Sequence, residues 1–463
     1  MKKCVFFLLA VFYLLLLASC SKEDSLSKIY KNSDITDVKY KNIEIGVTGL
    51  DIKTKIHFIT NRTDMASVVY PGKTWESYIK EFHNIYPNID IEVESVTEYE
   101  EIAKKRLEKK NWGDIMMIPN LSRRKLSSYF LSYGFVSDLE KHLRFVDSDT
   151  SWDGQVFGIP SAITAQGILY NKRIFREAGI TQWPKTPDEF LLALKKIKKQ
   201  TSAIPLYTNY CSGWLIKVWD MYVGICATGD ADFLNNGMIH KKNPFSDPRD
   251  GTGPYNVYRI LYEAVARGYT ENNYMITDWE SSKGMLNRGE IATMLVGSWA
   301  YNQVKLAGPN PEDVGYMPFP ILVRGKQYSE LRPDYSFGIN VKSSVKNKLA
   351  SMIFVKWLVE NSRYQFNEGY IPVLMYDIKF RDFYRSFENI VLQNTASPLP
   401  REEQLVAAVN RDSGLNFNSD GAEKVRAIVE HAFLKDMTFD EIMADWNKRW
   451  SLAQQNNGVL VEY

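Results

Sequence analysis

Four polar residues in a row, Asn61-Arg62-Thr63-Asp64, follow directly on an apolar run from Lys55 to Thr60. Asn and Asp carry planar donors and acceptors, and Arg adds a rigid fork that matches a carboxylate at two points. Such a set can hold a ligand. Groups that break bonds leave other marks. The histidines, His57, His83, His142, His240 and His431, are scattered, and no pair has zinc-ligand spacing. The stretch DSDTSWDG from Asp147 hints at a calcium loop, but it lacks the sixth-place Gly and twelfth-place Glu of an EF-hand. No phosphate loop, no G-x-S-x-G elbow and no G-x-G-x-x-G fingerprint occurs. Carboxylates abound, so a pair set for glycoside hydrolysis stays open, although nothing marks one. The expectation is a protein without catalytic residues, metal or cofactor.

Aromatic residues make up 13% of the chain, a generous supply of flat apolar faces. Trp112, Tyr207, Trp214, Trp299, Tyr335 and Tyr370 lie beside turn signals rather than deep in helical patterns. Core packing and ligand contact are both open for each of them. The formal charge is +2, and removal of Lys2 and Lys3 with a leader brings it to zero. A neutral chain gives no electrostatic case for nucleic acid.

The elements that position these residues begin after an address. Lys2-Lys3 is a basic start, and Val5 to Ala18 is apolar but short of the ~20 residues that span a bilayer. Leu17-Ala18-Ser19-Cys20 resembles a bacterial lipobox, so Cys20 is expected to be lipidated after cleavage of residues 1–19. Residues 20–50 read as the lipidated Cys and a flexible tether. Cys211 and Cys226 remain. The segment between them reads as a long helix over Trp214 to Ile225, whose rise of ~1.5 Å per residue holds the ends too far apart for a disulfide. Both are expected to be free and buried.

Lys55–Thr60 predicts a strand. Trp75, Tyr78, Ile79 and Phe82 recur at helical spacing up to Pro87, and Ile89, Ile91 and Val93 alternate as in a strand. Thr97 to Glu100 suggests a capping box, and a buried strand follows a Trp-Gly-Asp turn at Trp112 to Asp114. Strand, helix, strand, helix, strand is the pattern of a parallel sheet. Next comes VFGIPSAITAQGILYNKRIF, Val156 to Phe175, with Asn171 as a helix cap. Thr186-Pro187-Asp188-Glu189 starts another helix, with Thr as cap, Pro next and Glu at the third place. A short helix over Lys283 to Arg288 leads to the strand IATMLV and then Gly297-Ser298-Trp299. After Lys348 the chain reads as mainly helical.

In this order the segments FITNRTD, YIKEFHNIYPNIDIEV, WGDIMM, VFGIPSAITAQGILYNKRIFREAGI, WPKTPDEF, GEIATMLVGSW, VGYMPFP and INVKSSVKNKLASMIFVKWL resemble the extracellular solute-binding proteins of ABC importers, in the carbohydrate-binding family that includes maltose-binding protein. The resemblance runs from about Lys55 to Leu358. It implies an α/β, two-lobed periplasmic-binding-protein-like fold (type II), each lobe a mainly parallel sheet flanked by helices, with a ligand cleft at the hinge. The implied division is 51–160 with 298–345 for the first lobe and 161–297 with 346–463 for the second. Gly158, Ile159, Pro160, Ser161, Gly297 and Ser298 would then be hinge residues. On the residues alone, an ordinary strand-turn-helix is the other reading of Gly158 to Ala162.

A sugar offers hydroxyls to planar polar groups and a C–H face to rings. The resemblance therefore makes ligand-binding candidates of Asn61, Arg62, Asp64, Trp112, Asp114, Gln166, Tyr207, Trp214, Trp299, Tyr335 and Tyr370. Trp299 leads, because it follows a strand where the family crosses between lobes. Arg62 has a second reading as an interlobe partner of Asp64. The implied protein is a monomeric lipoprotein on the outer side of the cell membrane. It would capture a carbohydrate, an oligosaccharide by expectation, and deliver it to ABC permease subunits. A secreted glycan-active hydrolase and a surface glycan-binding lipoprotein are the alternatives.

Overall fold

A computed structural model describes residues 39–67, 70, 72–109, 112–375, 387, 389–417 and 422–462. The leader, Cys20 and most of the expected tether lie outside these residues. Residues from Lys39 onward already belong to the folded body. Tyr40 is buried, donates its amide to Tyr133 O at 2.9 Å, and sets its ring edge-on to that of Tyr133. The expected tether boundary at residue 50 therefore falls inside the folded body.

The strands β1 (Thr54–Thr60), β2 (Ile89–Ser95) and β3 (Ile115–Met117) pair in parallel, with Thr54 opposite Ile89 and Phe58 opposite Ile115. A small ribbon follows, made of β4 (Gly134–Phe135), β5 (Ser151–Trp152) and β6 (Gln155–Val156). The chain then runs through β7 (Ile159–Pro160), β8 (Ile163–Ala165) and β9 (Ile168–Asn171) in quick succession. Further on come β10 (Ile204–Tyr207), β11 (Ile291–Leu295), β12 (Val314–Met317), β13 (Tyr328–Pro333), β14 (Ser336–Ile339) and β15 (Val391–Gln393).

Two larger sheets result. The first is ordered β2-β1-β3-β14-β7 and the second β10-β11-β9-β12. Each is mainly parallel with one reversed strand, β14 in the first and β9 in the second. Both reversed strands adjoin the passage between sheets. That passage is an antiparallel pair, β8 against β13, with Leu331 opposite Ala165 and Pro333 opposite Ile163. The stretch that opens with Val156 thus carries the chain from one lobe to the other. Gly158 serves close packing rather than an unusual dihedral: a Cβ there would lie 2.7 Å from Ile118 and 2.8 Å from Ser336.

The lobe boundaries differ from those expected. Helix Ala300–Leu306 and β12 follow Trp299 but stay in the second lobe, because β12 pairs with β9. The return crossing is β13, not Gly297-Ser298. Those two residues abut the hinge instead: Ser298 N donates to Ala165 O, and Ala165 N donates to Ser298 Oγ, both at 2.9 Å. Helix Val345–Glu360 packs on β1 and β14, so the first lobe continues well past residue 345. Ile371 then bridges to Ile163, adding a third strand segment beside the hinge.

Local chemistry explains several helix starts. Thr74, Asn171 and Thr186 accept the amides of Ser77, Ile174 and Glu189 as caps. The expected box at Thr97 does not form. Glu98 is the cap residue of helix Tyr99–Leu107, in a left-handed conformation without a side-chain bond, and Glu100 instead accepts Asn120 N and the Tyr335 hydroxyl. The expected long helix is broken into Gly213–Ile216, a 3-10 turn Lys217–Tyr222, and Ile225–Thr228. Both cysteines are free, Cys226 buried as expected but Cys211 exposed, because it lies before the first of these short turns. The helix expected over Lys283 to Arg288 is longer, Trp279–Arg288, capped by Asp278. No helix among the described residues is long and apolar enough to cross a membrane.

Candidate ligand-binding cleft

Ligands of open α/β sheets bind beyond the carboxyl ends of their strands. On the first lobe the end of β1 presents Asn61, Arg62 and Asp64. The Arg62 guanidinium is buried and spanned by partners. Nε and Nη2 donate to the two carboxylate oxygens of Asp64, each at 2.9 Å, and Nη2 reaches Glu368 at 2.8 Å. The hydroxyls of Tyr70, Tyr364 and Tyr370 lie 3.3 Å from its nitrogens. Arg62 is thus an internal brace of the first lobe. Asp64 is about a quarter exposed, more than Arg62 or Glu368. Burial alone would raise the Asp64 carboxyl, but Arg62 outweighs it and holds the group below the usual range; Lys283, from the second lobe, adds to that pull. Asn61 is partly exposed, and its Oδ1 is buried with no hydrogen-bond partner among the described residues.

On the second lobe three indoles meet. Trp299 lies 5.6 Å from Trp214 and 5.5 Å from Trp279, and Trp214 is 5.7 Å from Trp279. They come from the end of β11, the short helix Gly213–Ile216 and the first turn of helix Trp279–Arg288. Trp214 is half exposed, which leaves an apolar face for a ligand. Lys283 sits 4.8 Å over the Trp279 ring and pairs with Glu280 at 2.8 Å. Tyr207 does not join the cluster directly. Its hydroxyl accepts the amide of Asp278, the cap of the helix that carries Trp279.

Gln166 lies between hinge and second lobe. Its amide donates to Glu330 O at 3.0 Å, and its carbonyl accepts the Ser329 hydroxyl at 2.6 Å. Among the described residues its side-chain Oε1 is buried without a partner, as is Ser161 Oγ at the hinge.

The remaining candidates are engaged by other partners. Trp112 and Asp114 stand at the amino end of β3, away from the cleft. Trp112 packs edge-on to Phe130, and Asp114 accepts His57 N at 3.0 Å and the Ser343 hydroxyl at 2.6 Å. They line a polar pocket of about 660 Å³ together with Asn340 and Lys342. Tyr335 packs against Tyr99 and donates to Glu100, and Tyr370 is spent on Arg62 and stacks on Tyr364. Trp279, Lys283 and Glu368 were not legible as site residues. Trp279 does follow Asp278 in a polar-aromatic step at a turn, the one local signal it carries. Among the described residues no group of three His, Cys, Asp or Glu side chains is set to hold a metal ion.

Polar groups thus gather at the end of β1 on one lobe, and indole faces gather beyond β11 on the other. Comparison with known proteins gives a consistent result. The family model for bacterial extracellular solute-binding proteins matches residues 66–362. A multiple sugar-binding protein of Streptococcus mutans is 23% identical over 320 residues, which are 66% of this chain and 71% of that one. A manno-oligosaccharide-specific solute-binding protein of Bifidobacterium animalis subsp. lactis, solved with mannotriose, superposes with a TM-score of 0.87 at 46% identity. The match covers 92% of this chain and all of that one. A binding protein of an ABC transporter from the same organism, solved with mannobiose, matches with the same TM-score, identity and coverage.

Proposed function

From the premise that this chain belongs to the bacterial extracellular solute-binding proteins, we propose that it captures a manno-oligosaccharide in the cleft and delivers it to the membrane subunits of an ABC importer. The observation that carries this reading is the indole triad Trp214, Trp279 and Trp299 beyond the end of β11, with Trp214 half exposed. Sugar C–H faces stack on indoles, while hydroxyls bridge to carboxylate and amide oxygens. The family's members are binding proteins, and this one acts without breaking the glycan. Asn61, Asp64, Gln166, Trp214 and Trp299 are its proposed contacts. Arg62, Tyr207 and Tyr370 act behind them.

Capture by two lobes stabilises the closed form through the ligand's higher affinity for it. The antiparallel pair β8 and β13 is the connection that would flex. Cys20 is the proposed lipid attachment, holding a monomer at the outer side of the cell membrane by two acyl signals rather than one.

Calorimetry with mannotriose, mannobiose, maltotriose and raffinose tests the reading. Binding of mannotriose with a smaller scattering radius, and recovery of the sugar intact, is the expected result. Absence of binding to every one of these sugars refutes it, and release of mannose from mannotriose returns the hydrolase alternative. Cys20→Ser should free the protein from the membrane fraction or leave it unprocessed.

A further inference from the structure

Buried polar groups in folded proteins nearly always find a partner, and an orphan calls for a reason. Two orphans belong to the second lobe, one of them beside Trp299. Gln166 is 3% exposed and Asn209 2%, and neither Gln166 Oε1 nor Asn209 Oδ1 accepts a hydrogen bond among the described residues. A Cβ on Gly297 would lie 3.7 Å from Gln166 Oε1 and 2.7 Å from Trp299 Cδ1 and Nε1, so this amide and that ring share one corner of the cleft.

Asn209 stands at the same end of the sheet, two residues past Tyr207. It follows β10, whose parallel neighbour β11 leads into Gly297 and Trp299, with Tyr207 opposite Met294. Its carbonyl accepts the amide of Ser212, which turns the chain into the helix bearing Trp214. The backbone at Asn209 is left-handed, φ 55°, a conformation that Asn tolerates better than other residues with a side chain. A strained conformation and an unpartnered buried oxygen thus coincide at one residue. Such features persist where they serve a site.

We propose that Asn209 and Gln166 are the specificity-determining residues of the second lobe, two amide oxygens that accept hydroxyls of one sugar ring lying at Trp299. This rests on the sugar-capture reading and deepens it. An amide oxygen needs a donor. A neutral polyol supplies one at each hydroxyl, whereas an ionised carboxylate or fully ionised phosphate supplies none. The pair therefore selects for uncharged sugars and fixes the ring's orientation, while the indole supplies area without direction.

The consequence for the unliganded protein runs opposite to that of ordinary core residues. Removing an unsatisfied buried acceptor removes a desolvation penalty rather than a bond. Gln166→Met keeps the length of the side chain without its polar atoms, and Asn209→Gly suits a positive φ with no side chain. Full-length parent and variants are compared by melting without ligand and by calorimetry with mannotriose. Each variant is expected to melt at or above the parent and to bind mannotriose at least tenfold more weakly. A monodeoxy mannotriose that binds the parent poorly should bind the matching variant almost as well as intact mannotriose does. If the parent binds no sugar, the sugar-capture reading fails first. If the parent binds mannotriose and both variants bind it within twofold of the parent, the amide assignment is overturned. Weaker binding by both variants with no change in the relative affinity of any monodeoxy sugar also overturns it, since that marks a structural role.

Discussion

Replacing Arg62 by Met separates a brace from a ligand contact. The guanidinium holds two carboxylates, and the Glu368 side chain is only 2% exposed. Water cannot replace the lost partner there. Removing one member of a buried ion pair costs about 3–5 kcal/mol, because the other charge is left uncompensated. Asp64 is more exposed and adds little to that cost. At roughly 2–4 °C per kcal/mol for domains of this size, the first-lobe transition should fall by about 6–20 °C. Fluorescence-detected melting without ligand reads this out. Glu368→Gln in the Arg62→Met background should recover a large part of the loss, since it removes the stranded charge; a double-mutant cycle gives the coupling. Mannotriose affinity, measured where the variant is folded, should also fall, because Asp64 loses the fork that aims it. A variant that melts within about 2 °C of the parent but no longer binds would show Arg62 touching ligand directly and would refute the brace.

Trp299→Ala should weaken mannotriose binding by about 1–3 kcal/mol, as truncation of an aromatic anchor does, and Trp299→Phe should recover part of it; unchanged affinity by calorimetry would confine the residue to packing against Trp214 and Trp279. Because the folded-state carboxyl of Asp64 is held below its unfolded value, its contribution to stability is complete at neutral pH and is lost as pH falls below ~4. The melting difference between parent and Asp64→Asn should shrink between pH 6 and pH 3, and a difference that stays constant would count against the ion pair. Burial pushes the Cys226 thiol up to about 12, while Cys211 is exposed. A thiol reagent at neutral pH should modify Cys211 alone in the native protein and Cys226 only on unfolding, as read by mass spectrometry of peptides.

Short-range chemistry made much of the fold legible. The alternation of Ile89, Ile91 and Val93 and the spacing of Trp75, Tyr78 and Phe82 depend on neighbours within a turn or a pleat, and they appear as β2 and helix Trp75–His83. Thr186 and Asn171 cap helices because the amides they satisfy lie three residues away. The ordered motifs fixed the family, and with it the two lobes and the passage through Val156 to Phe175.

What the sequence alone could not decide was which long-range partner each polar or aromatic group would find. Arg62 reads as a ligand group at the end of β1, yet its carboxylate Glu368 is 306 residues away and uses up the fork. Asp114 reads as a cleft residue, but it lies at the amino end of β3, where Ser343 and Asn347 close on it. Trp279 looks like a helix start until folding brings it against Trp214 and Trp299. The crossing expected at Gly297 moved to β13 because β12 pairs with β9. Hydrogen bonds and ring contacts between distant segments exist only once the lobes are built, so they leave no periodicity to read. Local pattern therefore set the elements, and the tertiary structure chose which side chains were consumed inside the lobes and which were left exposed.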